Sequence, residues 1–262
     1  MTLDINHLII VPCHGIYKLG EPPSKQESWY LADFQLEGND HLCFIDHIEQ
    51  GLQELQNDPN SYLIISGGET KAEAGPISEA FSYYTLATDL AKRNQLGSID
   101  GRVTTENYAR DSFENVIFSI CRFYEIWQRY PKFITIVGFE FKRDRFLDLH
   151  LSQALEFPVD RVKYIGNSPN PNYASKEKTD KYFKDIDINE YKNAVQEFKK
   201  DWYGAQEKLI TKRNKRNPFS RQPGYALSNP ILSEFLIQIR DNQNAKSNEE
   251  IKALLTNAPW RT

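Results

Sequence analysis

Four polar segments, each following an apolar run, carry the side chains in this chain that are equipped for chemistry. The first is VPCHGIY, where His14 and Gly15 stand at the point of closest ligand approach. A glycine permits a tight turn there, and imidazole supplies a donor or a base near neutral pH. A strand cap and a plain turn explain the pair equally well. Cys13 has no assignable Asn or Asp partner for a thiolate mechanism and reads as a small buried hydrophobe.

The second segment is SGGET, Ser66 to Thr70, followed by GPISEA, Gly75 to Ala80. Gly67 and Gly68 would let backbone N–H groups face a ligand, and a helix N-terminus just beyond favours an anion. Neither G-x-x-x-x-G-K-[ST] nor G-x-G-x-x-G is present, so P-loop and dinucleotide assignments do not follow. Glu79 is a candidate general base, or with Ser78 it completes the first helical turn.

In the third segment, Thr104 to Asn115, Glu106, Arg110, Asp111, Ser112, Glu114 and Asn115 crowd the start of an apolar-faced helix. Capping uses one or two such groups, so Glu106 is assigned as a second catalytic candidate and Asn115 as a ligand contact. The fourth, Gly138 to Phe146, brings Glu140, Lys142, Arg143 and Arg145 to the end of a strand. Lys142 and Arg145 suit phosphate or carboxylate oxygens, with Glu140 beside them. Pairing of these cations with Asp144, Glu140 or Asp148 is the alternative. His150 shares a helical face with Arg143 and Phe146 and reads as a histidine satisfied within the core.

Three apolar runs position these segments: HLIIVP at His7 to Pro12, YLIISG at Tyr62 to Gly67 and FITIVG at Phe133 to Gly138. Each reads as a buried parallel strand. Val162 to Ile165 and Arg102 to Thr105 are weaker strand candidates. Helical patterns fall at Leu42 to Leu55, Ile77 to about Ala91, Phe113 to Trp127 and Arg143 to Leu155. Alternation of strand and helix predicts an α/β, Rossmann-like three-layer sandwich with a central, mainly parallel sheet. Ligands in such sheets bind outside the carboxyl ends of the strands, where all four segments lie.

The α/β domain spans residues 1–166. NSPNPNYASKEKTD then reads as a polar linker, and residues 167–262 as a helical extension packed on the same core. Its helices are expected at Glu190 to Lys212, Leu232 to Ile239 and Glu249 to Leu255, anchored by Trp202, Tyr203, Phe219 and Trp260. The basic run KRNKRN, Lys212 to Asn217, is read as cations suiting a helix C-terminus rather than as a nucleic-acid patch.

The net charge of −4 gives no global attraction to nucleic acid or an anionic membrane. MTLDINHLIIVPCHG lacks the basic flank and length of a signal peptide, and no apolar run approaches the ~20 residues of a spanning helix. Three scattered cysteines, Cys13, Cys43 and Cys121, argue against a disulfide framework, so a soluble, cytoplasmic protein is expected. There is no H-E-x-x-H cluster to suggest a built-in metal, and no G-x-S-x-G nucleophile elbow.

In combined order, LIIVPCHG, Ser66-Gly67-Gly68 with Ser78-Glu79-Ala80, and Glu106, Ala109, Asp111, Ser112, Glu114 and Asn115 resemble the SanA/YdcF family, a domain of unknown function. A final element, Gly138 to Lys142 with Arg145, matches its T-S-x-[YF]-H-x-x-R pattern. Lys142 replaces the family histidine, Ala109 a serine, and Gly138-Phe139 a Thr-Ser pair. The resemblance covers about residues 5–165 and implies a Rossmann-like fold with its site at the strand ends. It also implies S-adenosylmethionine or a nucleotide as ligand, and a helical extension of the fungal type. The expected function is therefore an enzyme acting on a small anionic or nucleotide-like ligand. The alternatives are a non-catalytic nucleotide or S-adenosylmethionine binding module, or an interaction protein.

Overall fold

The computed structural model describes residues 4–94, 99–241 and 245–261; Met1 to Leu3, part of the N-terminal run considered above, lie outside them. Five strands form one parallel sheet: β1 (His7–Pro12), β4 (Ser61–Ser66), β5 (Val103–Glu106), β6 (Phe133–Phe139) and β7 (Val162–Asn167). Their spatial order is β5-β4-β1-β6-β7. The three apolar runs are thus neighbours at the centre, and the two weaker candidates are the edges.

Side chains alternate across the sheet because the strand period is two. Leu8 and Ile10 of β1, with Tyr62 and Ile64 of β4, enter the core on one face. Ile9, Val11, Leu63 and Ile65 enter the core on the other. The second face is covered by α1 (Asp40–Asn57) and α2 (Glu79–Arg93), through Phe44, Ile48, Leu52, Tyr83, Leu86 and Leu90. The first face is covered by α3 (Ser112–Trp127) and the segment after β6. This is a Rossmann-like three-layer α/β sandwich.

Within residues 4–166, two features depart from the expected elements. The stretch Arg145–Ala154 is wound as a π-helix rather than an α-helix, a wider turn that recurs at functional sites. Between β1 and α1, a short antiparallel ribbon pairs β2 (Ile16–Tyr17) with β3 (Trp29–Tyr30). The ribbon returns the chain to the sheet end, where the 3-10 turn Asp33–Gln35 is tied down by Gln35 Nε2 donating to the His14 carbonyl at 2.9 Å.

The stretch read as a linker becomes helical at Lys176, where α4 (Lys176–Glu190) begins. Then come a π-turn (Tyr191–Val195), α5 (Gln196–Lys200), α6 (Glu207–Lys215), α7 (Tyr225–Ser228), α8 (Ser233–Asp241) and α9 (Asn248–Ala253). Tyr203, Leu209, Tyr225, Phe235 and Trp260 share one apolar cluster with α3 and β1. Tyr203 and Trp260 also donate to the carbonyls of Ala154 and Leu155 at 3.0 and 2.7 Å. Phe219, expected as an anchor, is instead 37 % exposed and lies outside both apolar clusters.

Among the described residues, no helix is long and apolar enough to cross a membrane.

Candidate functional site

The sheet order reverses between β1 and β6, and the loops leaving these two strands diverge at their carboxyl ends. A cavity of about 280 Å³ opens in this crevice, the switch point at which open α/β sheets bind ligands. Of the ten assigned residues, the structure brings five to its wall: His14, Glu79, Asn115, Lys142 and Arg145.

Lys142 stands at the centre of the electrostatics. Its Nζ lies 3.4 Å from His14 Nδ1 and 4.9 Å from the centroid of the Phe139 ring. Burial, reinforced by the charge of Arg145, brings its pKa down to about 7. The same burial, with Lys142 as the next cause, holds His14 well below its ordinary value, so the ring is neutral. With Lys142 donating to Nδ1, Nε2 carries the proton, and that buried nitrogen has no protein partner.

Glu79 faces the same space. Burial raises its carboxyl above the ordinary range, opposed by the Thr70 hydroxyl, which donates to Oε1 at 2.5 Å, and by the charges of Arg216, Lys71 and Lys142. Arg145 Nε is 3.1 Å from Glu190 Oε1, so α4 of the extension supplies its counter-charge. Asn115 spends its Nδ2 on the carbonyl and hydroxyl of Ser66, both at 2.9 Å, which locks α3 to the end of β4.

Five assignments require correction. The Gly67 and Gly68 N–H groups do not face a ligand, because they donate to the carbonyls of Glu106 and Ala109 at 3.0 and 2.7 Å. The start of α2 is closed as well: Glu79 N and Ala80 N donate back to the carbonyls of Gly68 and Gly67. Glycine is needed at 67 for another reason, since a Cβ would lie 2.7 Å from Glu79 Oε2 and 2.8 Å from Cys13 Cβ. Gly15 packs beside Phe44 and the Tyr30 carbonyl, off the cavity wall. Glu140 turns outward to grip Arg143 at 2.6 Å, taking that cation out of the site too.

Glu106 is the fifth. It is fully buried behind the wall and accepts from Ser66 Oγ (2.7 Å), Tyr108 N (2.7 Å), Ala109 N (3.2 Å) and Tyr225 Oη (3.2 Å). It staples the loop before α3 rather than touching a ligand. Glu106→Ala should therefore cost about 1–3 kcal/mol for each buried donor it strands, read as a lowered midpoint in urea unfolding. Unchanged stability with lost ligand binding would return Glu106 to the site.

The cavity also holds residues that local sequence did not single out. Phe34 and Gln35 arrive on the turn after the ribbon, Lys71 on the loop after β4, and Arg216 from the end of α6. Arg216 Nη1 donates to the Arg110 carbonyl at 2.9 Å. Three residues earlier, Arg213 is buried and binds Asp111 at 2.6 Å. The basic run closes the last turn of α6 as expected, with Asn214, Lys215 and Arg216 exposed, while Arg213 turns inward and ties the extension to the start of α3. Nothing in its local composition distinguishes the one buried arginine, Arg213, from its exposed neighbours, or marks Arg216 as the one that borders the cavity.

Among the described residues, no three His, Cys, Asp or Glu side chains group as metal ligands. Cys13 lines the cavity, but burial, then the charges of Glu79 and Glu106, push its thiol well up, which keeps it protonated.

The fold and cavity define a Rossmann-like α/β protein with a cationic pocket at the switch point of its sheet. The chain is 39 % identical over 261 residues to the uncharacterised protein YOR238W of Saccharomyces cerevisiae, a match covering 84 % of this chain and 86 % of that protein. It belongs to the same family. No family model matches the chain, and no solved structure does.

Proposed function

We propose that this chain is an enzyme of SanA/YdcF type acting on a small phosphate-bearing ligand, of sugar phosphate or nucleotide kind, in the cytosol. One observation carries the reading: five cationic side chains, Lys71, Arg110, Lys142, Arg145 and Arg216, line one cavity against two carboxylates, Glu79 and Asp111. Arg110 and Arg145 have carboxylate partners in Glu114 and Glu190, and Asp111 is held by Arg213. Among the described residues, Lys71, Lys142 and Arg216 have none within ion-pair distance. A doubly charged anion supplies what they lack. S-adenosylmethionine, with its cationic sulfonium, suits this charge less well. In this reading Lys142, Arg145 and Arg216 hold the phosphate, His14 donates to it, and Glu79 moves a proton. Free, buried Cys13, Cys43 and Cys121 agree with a reducing compartment.

Thermal melts in the presence of sulfate, ribose 5-phosphate and AMP test the binding. At about one hundred times the dissociation constant, binding adds about 2.7 kcal/mol to stability. The affinity for sulfate, which does not titrate near neutrality, should fall about tenfold from pH ~6 to pH ~8 as Lys142 loses its proton through about 7. Arg145→Gln should weaken every ligand that binds. A flat melting temperature with all three anions would sink the reading.

A further inference from the structure

Ser112 is the first residue of α3 but not its cap. Asp111 has that role, its Oδ1 accepting from Glu114 N at 2.9 Å. The Ser112 side chain lines the cavity, and its Oγ lies 2.7 Å from His150 Nε2. His150 comes from the π-helix and is fully buried. The rings of Phe113, Phe146 and Phe198 box it at centroid distances of 5.7, 5.6 and 4.6 Å, which fixes its orientation. Its Nδ1 has no partner, so the one hydrogen bond this imidazole makes is to a serine at the cavity wall. Burial and the charge of Arg145 hold the ring neutral, and in the tautomer protonated at Nδ1 its Nε2 accepts from the Ser112 hydroxyl. A hydroxyl hydrogen-bonded to a neutral imidazole, in a cavity that gathers anion-binding cations, has the geometry of an activated nucleophile.

Building on the phosphate-site reading, we propose that Ser112 is a nucleophile and His150 its general base in phosphoryl transfer from a phosphomonoester to water. In the first step the Ser112 Oγ–P bond forms as the P–O bond to the leaving alcohol breaks. The Oγ proton passes to His150 Nε2, and the departing oxygen takes a proton from the Glu79 carboxyl. In the second, water attacks phosphorus, the P–Oγ bond breaks, Oγ regains its proton from His150, and the water proton returns to Glu79. The sum is ester plus water to alcohol plus inorganic phosphate. Arg145, Lys142 and Arg216 hold the phosphoryl oxygens, and the dianionic phosphate, with Asp111, offsets the burial and the charges of Arg145 and Arg213 that disfavour the imidazolium.

The test is phosphate release from p-nitrophenyl phosphate, ribose 5-phosphate and AMP, with acid-quenched protein examined by peptide mass spectrometry for phosphoserine. The wild type should release phosphate from at least one ester and carry phosphate on the Ser112 peptide. Ser112→Ala should lose about a thousandfold or more in rate while sulfate binding is retained and the protein stays folded, its melting temperature lowered by several degrees as His150 loses its one hydrogen bond. No release from any ester, or release that survives Ser112→Ala, overturns the proposal. Sulfate binding in the same preparations tells the two claims apart: if it persists without turnover, only the nucleophile fails, and if it is absent, the phosphate site fails as well.

Discussion

Arg213→Ala should lower the melting temperature by about 6–20 °C, the largest loss expected from any single charge in the extension. Arg213 is 1 % exposed and sits among Asp111 (2.6 Å), Glu114 (3.4 Å) and the carbonyls of Tyr203 (2.6 Å) and Ile239 (3.3 Å). Breaking a buried pair from one side strands the opposite charge and costs about 3–5 kcal/mol. At roughly 2–4 °C per kcal/mol for a chain of this size, that gives the stated range. Glu114 retains Arg110, but Asp111 loses its only ion-pair partner among the described residues. Burial alone would raise the Asp111 carboxyl; the charge and hydrogen bond of Arg213 bring it below the ordinary range. A carboxylate with a depressed folded pKa contributes stability above its unfolded pKa, about 4, and loses it as pH falls through the folded value. The gap between wild type and variant should therefore narrow below pH ~4. Arg213→Met with Asp111→Asn, which removes both charges, should recover part of the loss. A melting temperature for Arg213→Ala within about 2 °C of wild type would show that the extension docks without this pair.

Lys142→Met should do the opposite to stability while removing anion binding. The lysine is held close to Arg145, with His14 rather than a carboxylate at its Nζ, and its pKa falls from an ordinary 10.5 to about 7. A depressed folded pKa means that the charged form is penalised in the folded state. Below pH ~7 the lysine is charged in both states and the full penalty acts; between about 7 and 10.5 the folded state sheds its proton first and the penalty is progressively relieved. Methionine, similar in length and uncharged, removes it, so the variant should gain about 0.5–2 kcal/mol at neutral pH, in line with other exchanges of site function for stability. That advantage should shrink as pH rises toward about 10. Sulfate should no longer raise the melting temperature. A variant that is less stable than wild type at neutral pH would mark Lys142 as a structural cation of the packed core, and one that still binds sulfate would remove it from the site.

The central fold was legible because buried parallel strands announce themselves locally: HLIIVP, YLIISG and FITIVG are apolar on both faces and end in turn residues. The site was half legible. His14, Glu79, Asn115, Lys142 and Arg145 reach the cavity because each follows a strand end or opens the helix after one, and the switch-point rule selects such positions. Glu106 and the glycine amides follow the same rule and were drawn off by partners distant in sequence, Tyr225 among them.

By itself, the sequence determined the class of the protein, the neighbourhood of its three central strands and the loops in which polar chemistry is concentrated, since all three depend on local patterning. Only the tertiary structure decided which donors and charges remain unspent there. Backbone N–H groups, Glu106 and Glu140 were claimed by internal partners, whereas Ser112 met His150 across 38 positions and Arg216 reached the cavity from the end of α6, far along the chain from the strand-end loops. Hydrogen bonds and ion pairs are short-ranged, about 3 Å, so they are settled by packing, and packing joins residues whose separation along the chain carries no signal.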